Sequence, residues 1–195
     1  MATPRPTPSD VIDGVASTKS GASDVRARLR GAFLALISIY AAARVRNPEY
    51  WDPLDDLNLA VHEAGHMVFS AFGETMTILG GSMFQVLVPA VFVGYFARTR
   101  QRYAAAVTLS WVAVNLLNVA RYIGDARAQE LPLLGGEDSM HDWWYLLINW
   151  DLLPKDLVIA RWVHFLGVVA FLSSLVGGVF ALKHGRDRSS PVTSE

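Results

Sequence analysis

The stretch NLAVHEAGHMVFSAFG, Asn58–Gly73, decides how the rest of this sequence is interpreted. It is an apolar segment suited to a lipid bilayer, yet His62, Glu63 and His66 interrupt its middle. Ionisable side chains are costly in such a setting and rarely lack a function there. The surrounding fold must therefore supply partners for these three side chains.

Further apolar blocks flank this stretch on both sides. Met76–Phe96, Tyr103–Ala120 and Trp162–Leu182 contain no Asp, Glu, Lys or Arg and are long enough to cross a hydrocarbon core of roughly 30 Å. Leu57–Phe72 is marginal in length, and Gly31–Ala43 is either a short tilted span or an interfacial helix. We therefore predict an all-α integral membrane helical bundle with four to five transmembrane helices.

The composition limits both the metal ligands and the partners. With 52% apolar residues, the chain is expected to have the lipid bilayer as its first partner. A net charge of −1 gives no reason to expect nucleic acid. Because there is no cysteine, a metal ion has to be held by His, Asp or Glu.

The ends of the chain differ from its middle. Residues 1–28 are rich in Pro, Ser, Thr and Gly and have no apolar run, which predicts a disordered N-terminal tail. Residues 29–184 are predicted to form one helical membrane domain that carries the metal site. Residues 185–195 are predicted to be a disordered C-terminal tail.

The basic residues predict an orientation in the membrane. Arg98–Arg102 and Lys183–Arg188 both follow apolar blocks and are expected on the cytoplasmic side. The longer connection Ile123–Asp156 then lies on the opposite side, and Arg44 and Arg46 are expected with the other arginines in the cytoplasm. The expected location is the inner membrane of a bacterium, as a multi-pass protein.

The polar residues of the opening stretch have the spacing of a metal site. His62 and His66 are four positions apart, so on a helix they project from the same face. This H-E-x-x-H arrangement lets two imidazoles hold one zinc ion, while Glu63 acts as the general base for a water molecule acidified by the metal. The alternative to a metal site is that the two histidines only form hydrogen bonds with neighbouring helices in a membrane core.

A third ligand is expected further along the chain, and two candidates are present. Asp125 ends a polar stripe on one helix face that also contains Asn115, Asn118 and Tyr122. His141 is followed by Asp142, a carboxylate that could orient its second ring nitrogen. Interhelical hydrogen bonding is the alternative role for the stripe, and helix capping at the surface is the alternative role for His141 and Asp142.

The order of these elements resembles the intramembrane metalloproteases of the site-two protease class. That family has an HExxH helix, a second span and a third span that delivers an aspartate ligand. The resemblance implies that His62 and His66 bind zinc, that Glu63 is the base and that Asp125 is the third ligand, ahead of His141. The chain reads NVARYIGDARAQELPLLGG where the family has a proline-rich approach to its aspartate.

Three classes of function follow from these patterns. The leading hypothesis is a membrane zinc metalloprotease that cleaves a membrane protein or peptide in or near the bilayer. The second is a zinc hydrolase of a lipid amide or ester, similar to the ceramidase-like membrane hydrolases. The third is a non-enzymatic metal-binding membrane protein, in which Glu63 has no catalytic duty.

Overall fold

A computed structural model describes residues 7–47, 52–131 and 140–187 of the chain. All regular secondary structure in these ranges is helical, which confirms the all-α prediction. Short 3₁₀ turns at Ser70–Phe72 and Leu153–Lys155 precede two of the helices. The helices are α1 (Pro8–Arg46), α2 (Pro53–Phe69), α3 (Glu74–Arg98), α4 (Arg102–Gly124), α5 (Asp142–Asn149) and α6 (Asp156–Asp187).

Among the described residues, three segments are long and apolar enough to cross a membrane. They are Glu74–Arg98, Arg102–Gly124 and Leu153–His184, and they contain the three clear blocks of the sequence. Neither α1 nor α2 meets the same criteria of length and hydropathy. A fourth and a fifth span therefore stay predictions.

Helix α6 packs along α4 through small residues. A Cβ atom added at Gly167 would lie 2.8 Å from the side chain of Leu117, and one at Gly177 would lie 3.4 Å from Ala106. Phe171, between these glycines, is buried in the same interface. The two helices are therefore close neighbours over several turns.

Helix α1 runs in the same direction as α4. Tyr103, at the start of α4, donates a hydrogen bond to the carbonyl oxygen of Arg30, and Arg44 donates one to Asn118. Asn118 is about 24 Å along α4 from Arg102, at 1.5 Å per residue. We call the end of the bundle with Glu74 and Gly124 the Gly124 end and the end with the Arg98–Arg102 turn the Arg100 end.

The structure therefore contradicts the placement of Arg44 beside the Arg98–Arg102 turn. The guanidinium of Arg44 lies nearer the Gly124 end, where it makes a bidentate ion pair with Asp55 at 2.7 and 2.9 Å. Both side chains are almost fully buried. Arg44 was a misleading topology signal because its charge is neutralised inside the protein instead of facing the cytoplasm.

The N-terminal segment also differs from its prediction. Helix α1 begins at Pro8, so residues 8–28 are helical, whereas the sequence predicted a disordered tail over residues 1–28. Proline is tolerated in the first turn of a helix, and no other proline follows before the helix ends at Arg46. Residues 1–6 and 188–195 lie outside the described part of the chain.

Helix α2 begins at a capping box. Asp52 accepts a hydrogen bond from the backbone of Leu54, and Asp55 accepts one from the backbone of Asp52. Since Asp55 also pairs with Arg44 and accepts a hydrogen bond from Asn118 at 2.6 Å, the first turn of α2 is fixed to α1 and α4.

The last turn of α2 contacts the Gly124 end as well. A Cβ atom added at Gly80, early in α3, would lie 2.7 Å from the Cβ of Phe69. Both ends of α2 therefore contact the half of the bundle that holds Glu74 and Gly124.

Candidate metal centre

The two histidines of α2 converge on one carboxylate of α5. Nε2 of His62 lies 2.9 Å from Oδ2 of Asp142, and Nε2 of His66 lies 3.3 Å from the same oxygen. The two imidazole rings meet edge to face, with their centroids 4.8 Å apart. Helical spacing brings the histidines together, and the position of α5 brings the acid to them.

The other nitrogen of each ring faces a carbonyl oxygen. Nδ1 of His62 lies 3.2 Å from the side-chain oxygen of Gln85, and Nδ1 of His66 lies 2.9 Å from the backbone oxygen of Thr77. A neutral imidazole has one N–H, so donation from Nδ1 leaves the Nε2 lone pair directed at Asp142. Both Nε2 atoms therefore require a proton or a metal ion between them and the carboxylate.

Small residues create the space around these nitrogens. A Cβ atom added at Gly81 would lie 2.5 Å from Nε2 of His62 and 2.7 Å from Nε2 of His66. One at Gly65 would lie 2.3 Å from the backbone oxygen of Gly80. These glycines let α2 and α3 approach closely.

Asp142 is held in place by its own backbone and by the packing of α5. Its N–H donates to the hydroxyl oxygen of Tyr122 at 3.1 Å, and the next residue, Trp143, donates from Nε1 to Ser82 at 3.0 Å. Burial raises the pKa of Asp142, but hydrogen bonds from His62 and His66 outweigh it and hold the pKa below its ordinary value. Asp142 is therefore a carboxylate in this setting.

The predicted third ligands contact each other instead of the histidine pair. Nε2 of His141 lies 3.3 Å from Oδ2 of Asp125. The carboxylate of Asp125 also accepts hydrogen bonds from the backbones of Glu130 and Leu131 at 2.9 and 3.1 Å. Within the described part of the chain, neither Asp125 nor His141 has a hydrogen bond or ion pair to His62 or His66.

The surroundings of His141 explain why it is not directed at the pair. Its Nδ1 accepts a hydrogen bond from the backbone of Trp144 and caps the start of α5, so Nε2 carries the proton that it directs at Asp125. Burial lowers the pKa of His141, against the opposing charge of Asp125, and favours the neutral ring. Capping is thus confirmed for His141, although its side chain is buried rather than at the surface.

The polar stripe of α4 divides between two surroundings. Asn118 belongs to the cluster with Arg44 and Asp55, and Asn115 donates to the backbone oxygen of Trp111 at 3.0 Å. Tyr122 lies beside the histidines, with its ring centroid 5.8 Å from that of His62 and 4.3 Å from that of His141. Asn118 thus joins α4 to α1 and α2, Asn115 bonds within α4, and Tyr122 positions the start of α5.

Glu63 lies next to the histidine pair on a more exposed face of α2. The potential ligand atoms of His62, Glu63 and His66 all lie within 4.8 Å of one another. Glu63 is exposed, while His62 is buried and His66 is partly buried. Its carboxylate can therefore meet a water molecule that arrives from outside the bundle.

Two of the separations between these side chains are compatible with a tetrahedral zinc site. Zinc at about 2.0–2.1 Å from each ligand atom holds neighbouring ligand atoms roughly 3.3 Å apart. The distances from Asp142 to the two Nε2 atoms, 2.9 and 3.3 Å, are close to this value. The Nδ1 hydrogen bonds supply the orientation that zinc-binding histidines usually have.

Asp142 is the residue whose role the sequence did not indicate, since it had been considered only as a partner that orients His141. Its position after the capping residue of a short helix is the one local signal that could have drawn attention to it. Comparisons of the chain with protein-family models, with curated proteins and with solved structures gave no match.

Proposed function

We propose that this protein is a membrane-embedded zinc-dependent hydrolase in which His62, His66 and Asp142 hold the metal and Glu63 is the general base. One observation carries the proposal: two Nε2 lone pairs and a carboxylate oxygen converge at separations that suit one tetrahedral ion. Asp142 replaces Asp125 and His141 as the proposed third ligand.

The chemistry assigned to each residue follows from its surroundings. A zinc ion bound here would supply a Lewis acid that polarises a carbonyl group and acidifies water. Glu63 accepts the proton of the attacking water and passes it to the leaving amine, because its carboxylate is exposed beside the ligands. Gln85 and Thr77 keep the two imidazoles oriented throughout.

The substrate class proposed first is a peptide bond of a membrane protein or peptide. Large apolar side chains of α2 are exposed on either side of Glu63, with Leu57 before it and Met67 and Val68 after it. An apolar substrate segment could lie against this face with its scissile bond beside Glu63. The resemblance to the site-two protease class supports the same assignment.

The test combines metal content with hydrolysis by the protein purified in detergent. We expect about one zinc per chain in the natural protein and in Glu63→Gln, and none in the double variant His62→Ala/His66→Ala. Glu63→Gln should lower hydrolysis of a fluorogenic transmembrane peptide by at least ~100-fold. Stoichiometric zinc in the double variant would disprove the metal site.

Hydrolysis by the same preparation, together with the cellular effect of Glu63→Gln, separates the three hypotheses. Cleavage of a fluorescent ceramide, but not of the peptide, would assign the site to lipid amides. Zinc binding with no hydrolysis of either probe, and with no effect of Glu63→Gln on cellular function, would favour a non-enzymatic metal-binding protein.

A further inference from the structure

Exposed cationic side chains collect at the Arg100 end of the bundle. None of these cations makes an ion pair with another residue that the structure describes. Asp24 of α1 is an acidic residue near them whose side chain is described. They lie where α3 ends, where α4 begins, and on the parts of α1 and α6 that reach the same level. The residues are Arg26, Arg28, Arg30, Arg98, Arg100, Arg102 and Lys183.

The level of these residues is fixed by contacts between the helices. The carbonyl oxygen of Arg30 accepts a hydrogen bond from Tyr103, and the guanidinium of Arg30 lies 5.2 Å from the centre of the same ring. A Cβ atom added at Gly178 would lie 2.7 Å from the side chain of Leu34, which places the last turns of α6 beside the same part of α1. The cations therefore come from elements that meet at one end.

An apolar groove opens between α1 and α6 at this end. Its volume is about 260 Å³, and its walls are Ala27 and Gly31 of α1 with Val179 and Leu182 of α6. Lys183 is the charged residue of its lining and is exposed. The groove thus combines a hydrocarbon-lined interior with a cation at its rim.

We infer that this groove and the adjoining cations bind an anionic phospholipid, with its phosphate at Lys183 and Arg28 and part of an acyl chain between Ala27 and Val179. Charge complementarity selects the lipid class, because basic residues at the ends of membrane helices attract anionic headgroups by about fivefold in affinity per cation. The inference requires the three apolar helices to lie in a bilayer, but it does not depend on the metal site.

The test uses the full chain in detergent, with lipid retention measured by native mass spectrometry. Phosphatidylglycerol should be retained at lower concentration than phosphatidylcholine, and Arg28→Ala/Lys183→Ala should reduce this preference by on the order of 25-fold. Lys155→Ala, which removes an exposed cation at the opposite end, should change nothing. Equal retention of the two lipids would overturn the inference.

The groove is tested separately from the charges. A Cβ atom added at Gly31 meets nothing within 4 Å, so Gly31→Leu can fill the groove without disturbing the backbone. It should reduce retention of phosphatidylglycerol, whereas Gly94→Leu, at an equally open position of α3, should not.

Two further outcomes would contradict the lipid assignment. If inorganic phosphate raised the thermal midpoint as much as phosphatidylglycerol does, the site would recognise a free anion. If Gly31→Leu changed the oligomeric state without changing lipid retention, the groove would be a contact between two copies of the chain.

Discussion

Oδ2 of Asp142 lies 2.9 Å from Nε2 of His62, although 80 positions separate the two residues in the chain. This contact joins α2 to α5, and the contact of the same oxygen with His66 closes the site. The arrangement makes Asp142, rather than Asp125 or His141, the proposed third ligand beside the two histidines.

We expect substitutions of three acidic residues to change zinc affinity by different amounts. Asp142→Asn removes an anionic ligand and should weaken zinc binding by at least ~100-fold. Asp125→Asn disturbs the partner of the capping His141 and of two backbone N–H groups but no proposed ligand, and should cost on the order of 10-fold. Asp151→Asn, exposed beyond the far end of α5, should have no effect. Competition titration with a zinc indicator measures all three, and equal losses in the first two would contradict the assignment.

A second prediction concerns the space beside the imidazoles. Gly81→Ala introduces a Cβ atom at 2.5 Å from Nε2 of His62, so one of the rings has to turn away. We expect zinc affinity to fall by at least ~10-fold, as for other losses of ligand orientation.

The matched control for this change lies on the same helix. Gly94→Ala adds a methyl group where nothing lies within 4 Å and should leave zinc binding unchanged. Because alanine favours helix, it should stabilise the fold by roughly 0.5–1 kcal/mol. Unchanged zinc binding in Gly81→Ala would mean that the metal does not occupy the space between the rings.

The sequence predicted those parts of the molecule that depend on local spacing. The HEAGH spacing placed His62 and His66 on one face, and the uncharged blocks located α3, α4 and α6 within a few residues. The partner of the histidines was missed because it depends on how the chain returns after α4. His141 and Asp142 are adjacent, yet capping turns the first toward Asp125 and leaves the second directed at the pair.

Electrostatic signals at the sequence level were less reliable for a similar reason. Arg44 has the charge of a topology marker, but tertiary structure pairs it with Asp55 inside the protein. Only the fold distinguishes a buried, neutralised arginine from one that faces the cytoplasm.

Zinc binding should depend on pH through competition with protons. Zinc requires both Nε2 lone pairs, so its affinity should fall as pH decreases, by up to ~100-fold per pH unit where protons compete for both imidazoles. The carboxylate of Asp142, whose low pKa keeps it charged, raises the pKa of His66 in the metal-free protein through its hydrogen bond and so extends the competition to higher pH.

Calorimetry between about pH 5 and about pH 8 would measure this dependence. In Asp142→Asn, the decline should begin at lower pH, since the anion that stabilises imidazolium is gone. An affinity that stays constant across this range would show that the ion is not held by the two imidazoles.

The ion pair of Arg44 and Asp55 should be important for stability. Arg44→Met leaves the carboxylate of Asp55 buried without its cation, which typically costs about 3–5 kcal/mol. Adding Asp55→Asn should recover part of this loss, because the unpaired charge is then removed.

Reversible unfolding in mixed micelles gives the free energies for these variants. Arg161→Met removes an exposed arginine of α6 and should change the free energy of unfolding by no more than ~0.5 kcal/mol. An Arg44→Met variant as stable as Arg161→Met would indicate that water reaches Asp55.

The last prediction concerns which side of the membrane each end of the bundle faces. If the three apolar helices span a bilayer, the cationic Arg100 end is expected in the cytoplasm. Since the chain has no cysteine, single substitutions at Gln101, Arg46 and Gln129 provide clean sites for a membrane-impermeant maleimide. In intact cells, the reagent should label Arg46→Cys and Gln129→Cys but not Gln101→Cys, because α1 carries Arg46 to the Gly124 end. If Arg46→Cys, like Gln101→Cys, were labelled only after the cells are opened, α1 would not run parallel to α4. That result would also contradict the Arg44–Asp55 contact.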